Sequence, residues 1–202
     1  MKHNKVITVI RCGFAGWIIF ELLNWLTILH FTLDFSWLGL VLTATFVWVS
    51  IELISKNLRK KTGSGFPWVV YLVSFAGTSW DALGDVGHLY SRFSWYDQAA
   101  HFAGGASLGL IFFMYLWRLH SSRIITLTPG LMGFLAWSAA NIIGVFYELE
   151  EYTESVLVHN NRLGDAFDTP NDLMWNIIGS LIVIVIASRY VRRLQVFAKK
   201  SS

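Results

Sequence analysis

The chain has 202 residues, of which 54% are hydrophobic and only 14% charged, with ten Trp and fifteen Phe. So apolar a composition excludes an ordinary soluble domain, which needs a polar shell, and points to lipid as the solvent. The net charge of +3 does not indicate nucleic acid, because Lys and Arg stand in short clusters between apolar stretches and do not line one face.

A helix needs roughly 20 apolar residues to cross about 30 Å of hydrocarbon. About six stretches approach that length, which predicts an all-α polytopic transmembrane helix bundle forming a single domain over residues 1–202. The first, Val6–Phe31, is too long for a signal-peptide core and lacks a small-residue cleavage pattern after it, so it reads as a retained helix. Glu21 and Asn24 share a face near its middle, placed to line a cavity or to bond a neighbouring helix. The second, Trp37–Ile54, ends beside Glu52 and Lys56, an i,i+4 pair. The third, Pro67–Tyr90, and the fifth, Pro129–Tyr152, begin at prolines, whose missing N–H costs nothing in a first helical turn. The fourth is Asp97–Leu119 and the sixth is Asp172–Val191. A hydrophilic loop, about Thr153 to Pro170, joins the last two.

Cytoplasmic loops retain Lys and Arg, and this fixes the orientation. With both termini cytoplasmic, the inner set is Lys2, Lys5, Arg11, Lys56, Arg59, Lys60, Lys61, Arg118, Arg123, Arg189, Arg192, Arg193, Lys199 and Lys200, leaving Arg92 and Arg162 outside.

Ionisable groups within a span are costly and call for a partner, water or a function. At 1.5 Å per residue, Asp81 and Asp85 lie roughly 21 and 27 Å along the third span, with His88 near the outer boundary on the same face. Asp97 opens the fourth span, with His101 about 6 Å deeper and Gly104 and Gly105 following. Glu148 reaches the same rim on the fifth span, with Asn141 and Gly144 on its face. Asp168 and Asp172 precede Asn176 and Gly179 on the sixth. Four helices thus carry polar groups to one depth, as a shared site requires. Each also has a plainer role: Asp97 and His101 as a cap and an interhelical hydrogen bond, Asp168 and Asp172 as N-caps, and Glu150, Glu151 and Glu154 as solvated rim charges.

The stretches Trp95–Gly105 (WYDQAAHFAGG), Phe146–Glu151 (FYELEE) and Gly164–Gly179 (GDAFDTPNDLMWNIIG) resemble the bacterial YjdF family of predicted inner-membrane proteins. More distantly they are similar to the VanZ-like membrane proteins, which share an aspartate and histidine-phenylalanine at one helix start, an acid on the next helix, and an aspartate, asparagine and glycine on the last. The resemblance implies a site of Asp97, His101, Glu148, Asp168, Asp172 and Asn176. Glu151 stands where VanZ-like proteins commonly carry glutamine, which makes this site more acidic.

The leading expectation is a multi-pass protein of a bacterial or archaeal cytoplasmic membrane that acts at the outer leaflet on a phosphate-bearing lipid or envelope head group. Asp97, His101, Glu148 and Asp172 would carry acid–base chemistry. Alternatively Asp85, His88, Asp97, His101, Glu148 and Asp168 would bind a divalent metal, for which mixed carboxylate and imidazole donors suit zinc, manganese or iron. Two other readings compete: a non-catalytic scaffold or accessory subunit whose polar residues only fix helix packing, and a proton- or cation-coupled transporter with Glu21, Asp81, Asp85 and Glu148 as its relay. The bilayer is the expected partner, and the sequence names no protein partner.

Overall fold

The computed structural model describes residues 2–158 and 164–200. Among these, every regular element is helical: α1 Lys2–Trp25, α2 Trp37–Thr62, α3 Trp68–Val86, α4 Leu89–Arg92, α5 Tyr96–Ser121, α6 Pro129–Val158 and α7 Asp168–Lys200. Five of them (α1, α2, α5, α6 and α7) are long and apolar enough to cross a membrane. The remaining long helix, α3, has 19 residues and includes Asp81 and Asp85, which lower its hydropathy. Arg162, counted above among the outer cations, lies outside the described residues.

Local chemistry explains where the helices start and stop. Ser36 caps α2 by accepting the Gly39 N–H at 2.9 Å, and α2 runs past Ile54 to Thr62 because its last turn is basic, which suits the negative end of the helix dipole. It ends at Gly63, whose φ of 78° a glycine adopts without steric cost. The first helix stops at Trp25, short of Phe31, because the Asn24 side chain accepts the Phe31 N–H at 3.0 Å and Thr27 turns left-handed at φ 57°. Pro67 sits one position ahead of α3 as its N-cap, whereas Pro129 opens α6 as its first residue.

The fifth helix is the hub, packing against α7, α6, α3 and α2, while α1 packs on α2 and α3. Its tightest neighbour is α7. A β-carbon added at Gly105 would stand 2.8 Å from the Cα of Asn176, and one at Gly109 would stand 3.0 Å from the Cα of Ser180. Small residues let these backbones meet directly, as expected of helices associating in lipid, where apolar surfaces gain little by burial. The apolar interior is centred on Phe14, Ile51, Leu58, Val70, Tyr71 and Phe113. On the opposite faces, Ile19, Phe46, Leu53, Phe134, Ile142 and Ile186 are exposed. That much apolar surface in water would drive aggregation; facing acyl chains it is solvated.

One pairing differs from the sequence reading. Glu52 takes Arg11 of α1 as its partner, with Arg11 Nη2 2.6 Å from Glu52 Oε2. This contact spans 41 positions, which local helical spacing does not register.

Candidate functional site

The α5–α7 contact places His101 where three helices meet. On α5, Asp97 lies one turn before His101, and its Oδ1 is 3.5 Å from His101 Nε2. On α7, Asp172 Oδ1 approaches the same nitrogen at 3.8 Å. On α6, Glu148 Oε1 stands 3.6 Å from His101 Nδ1, and Asn176 Nδ2 lies 3.2 Å from that nitrogen. Tyr147 presents its ring edge-on to the imidazole, with centroids 5.9 Å apart.

Burial divides these groups unevenly. His101, Glu148, Glu151, Asp172 and Asn176 are all buried, Asp172 to 1% exposure, whereas the Asp97 side chain is 33% exposed. Among the described residues, none donates a hydrogen bond to Asp172 Oδ1, although it is fully enclosed. Two sets of donor atoms lie within 4.8 Å of one another: Asp97, His101 and Asp172 in one, and His101, Glu148 and Glu151 in the other. His101 belongs to both. Either set could hold a cation, or could share protons through the imidazole.

The remaining residues singled out from sequence lie elsewhere. The third helix stops at Val86 and His88 adopts a left-handed φ of 53°, so the expected i,i+7 relation between Asp81 and His88 does not hold. His88 Nδ1 instead meets Asp34 Oδ1 at 2.8 Å, and its Nε2 meets Thr32 Oγ1 at 2.9 Å. Asp85 Oδ1 accepts the backbone N–H groups of Asp34 and Phe35 at 2.8 and 2.7 Å, which ties the α1–α2 loop to the end of α3. Asp81 accepts the Tyr90 hydroxyl at 2.7 Å. Glu21 is fully enclosed, and neither of its oxygens accepts a hydrogen bond from any of the described residues. Asp168 opens α7, half-buried, and belongs to neither donor set. Asp172, an expected site residue with capping as its plainer role, falls in the second turn of α7 and faces inward.

A family model described as "Predicted membrane protein (DUF2238)" matches residues 13–193. The chain belongs to DUF2238. No curated protein and no solved structure shows significant similarity to it. The match to DUF2238 takes in every residue of the His101 cluster and the polar group of Asp34, Asp85 and His88.

Two members of these clusters were not among the acid–base or metal-ligand candidates named from sequence. Glu151, open to reading as a solvated rim charge or, from the VanZ-like resemblance, as an added acid of the site, is buried in the His101–Glu148 set. Its spacing of three from Glu148 put both on one face of α6, and that was the available signal. Asp34 lies in a short loop with no periodicity, so no sequence pattern marked it.

Proposed function

We propose that this DUF2238 protein is a YjdF-like, single-domain, six-span protein of a bacterial or archaeal cytoplasmic membrane. Both termini face the cytoplasm, and the His101 cluster acts at the outer face on a lipid or envelope head group. The topology is supported by the packing of α3 against α1, α2 and α5: at 1.5 Å per residue its 19 residues extend about 28 Å, close to the hydrocarbon thickness. With α3 crossing, the Lys and Arg residues separate into the inner and outer sets given above. Its short successor α4 lies in the outer interfacial connection.

The observation that carries the catalytic reading is one buried imidazole facing carboxyls from three helices, of which Asp97 alone is substantially exposed. Carboxyl groups on both ring nitrogens orient an imidazole and stabilise its charged form, and the exposed carboxyl is the one a head group reaches first. Asp97, His101, Glu148 and Asp172 then serve as acid and base, or as ligands of an activating divalent ion. A phosphate-bearing head group is the substrate class, because it lies at this depth and is cleaved or transferred by either chemistry.

The test is incubation of the purified protein in vesicles of bacterial polar lipids, with head-group products followed by mass spectrometry. Products formed by the wild type and lost in correctly folded His101→Ala and Asp97→Asn variants support the reading. Unchanged lipid in the presence of folded wild type counts against it.

A scaffold role is the second reading, favoured by the hydrogen bond that ties α6 to α7 within the same region: Asn141 Nδ2 donates to Ser180 Oγ at 3.2 Å. The transporter reading has less support, since beyond Ser107 and Ser180 the buried residues of α5 to α7 on the cytoplasmic side of the cluster, such as Phe113, Met132, Ala136 and Ile184, are apolar.

A further inference from the structure

We infer that the cluster is a divalent-cation site in which the ion sits on the Nε2 side of His101, held by Asp97, His101 and Asp172, while Glu148 and Asn176 position the imidazole through Nδ1. This deepens the reading above and rests on the same site. It makes His101 a ligand and leaves proton transfer to the carboxyls.

Ligands held at about 2.1 Å in a tetrahedron stand about 3.4 Å from one another. The separations of 3.5 Å from Nε2 to Asp97 and 3.8 Å to Asp172 are near that edge, and beyond the usual hydrogen-bond range. Asp172 supplies an independent sign of an occupant: its Oδ1 is aimed at this space from a side chain 2% exposed, and no group among the described residues donates to it. A carboxylate oxygen enclosed without a donor is costly, and a cation is the partner that removes the cost.

The two sides of the ring differ in ways that choose between the donor sets. On the Nδ1 side the Asn176 amide already occupies hydrogen-bonding distance at 3.2 Å, and Glu148 and Glu151 are both buried, so that side is closed. On the Nε2 side Asp97 is 33% exposed, which leaves an entry path and room for a water or substrate oxygen at a fourth position. Metal-binding histidines commonly donate their other ring N–H to a carboxylate or carbonyl oxygen, which fixes the ring and makes it a stronger ligand. Glu148 stands where that acceptor belongs, and the Asn176 amide can turn its oxygen to Nδ1 for the same purpose. The mixed nitrogen and oxygen set suits zinc or manganese.

The test loads purified full-length protein, in detergent and without added substrate, with Zn²⁺ and separately with Co²⁺ as a spectroscopic probe of coordination. Bound ion is measured by mass spectrometry and affinity by titration. Wild type is expected to hold one ion per chain, with Co²⁺ giving the intense visible bands of a low-coordinate site. His101→Ala and Asp172→Asn should abolish stoichiometric binding. Glu148→Gln should keep one ion per chain with affinity reduced about 10–100-fold, as loss of a supporting carboxylate does. Should Asp172→Asn not fold, the more exposed Asp97→Asn gives the same discrimination.

If Glu148→Gln abolished binding while Asp172→Asn and Asp97→Asn only weakened it, the ion would belong on the Nδ1 side and this assignment would be wrong. An ion-free wild type that elutes as folded protein overturns the metal site altogether, yet leaves acid–base turnover of head groups to its own assay. Bound ion with no lipid turnover does the reverse.

Discussion

Substituting Gly105 by alanine probes the contact on which the His101 cluster is built. A β-carbon there would lie 2.8 Å from the Asn176 Cα and 2.9 Å from its carbonyl carbon. Non-bonded carbons rest at about 3.5–4.0 Å, so α5 and α7 would have to part locally by roughly 1 Å. Both obstructing atoms are backbone, so no side chain can swing aside. Overpacking of this kind costs about 1–3 kcal/mol, set against a gain of about 1 kcal/mol in helix propensity when glycine becomes alanine.

The adjacent Gly104 provides the control. A β-carbon at Gly104 meets only Asn176 Oδ1, at 4.0 Å, so Gly104→Ala should retain the propensity gain without the clash. Reversible unfolding in mixed micelles, followed by the fluorescence of the ten Trp residues, should separate the two variants by about 1–3 kcal/mol, Gly105→Ala being the weaker. Equal stability of the two would refute the α5–α7 packing described here, and with it the placement of Asn176 against the imidazole.

Asp85→Ala should destabilise the protein by about 2–3 kcal/mol, because two backbone N–H groups of the α1–α2 loop lose a charged acceptor, whereas Asp85→Asn keeps an oxygen and should cost less; the same unfolding assay ranks them, and neither should alter cation binding at His101. Burial first, and then the neighbouring Asp81 carboxylate, push the Tyr90 hydroxyl well above its ordinary value of 10.0. The folded state therefore holds that proton more tightly than the unfolded chain; the resulting stability is full below pH 10 and is lost as pH rises beyond it, a slope that Tyr90→Phe should flatten in unfolding curves taken across that range. For Arg11 and Glu52, 39% and 32% exposed, a double-mutant cycle should give a coupling of no more than about 1 kcal/mol that weakens with added salt.

The legible parts of this molecule were those that repeat along one helix. Hydropathy located α2, α5 and α6 to within a residue at their starts, and helical spacing gathered Asp97 with His101 on one face of α5, and Asp172 with Asn176 on the inward face of α7. Helix ends were less legible where a single side chain decides them: Asn24 ends α1 by reaching forward seven residues, and the left-handed turn at His88 redirects a histidine that an unbroken helix would have aligned with Asp81 and Asp85. Those two acids consequently belong with Asp34, Tyr90 and the loop, and the expected single level of polar groups becomes two neighbouring clusters. Glu151 was open to two readings, solvent from its charge and the site from the VanZ-like resemblance, and its spacing from Glu148 favours the buried one that is found. The partner of Glu52 was beyond reach of any local rule, since only tertiary packing brings Arg11 beside it.

Asn176 has its backbone against Gly105 and its amide against both Gly144 and the His101 ring. A sliding of α7 past α5 therefore cannot leave the imidazole unmoved: helix register is read out directly as ring orientation. Glycines with no chemistry of their own would score in an activity screen alongside the histidine, and a suppressor of a weakened His101 environment could arise on the far side of the helix pair.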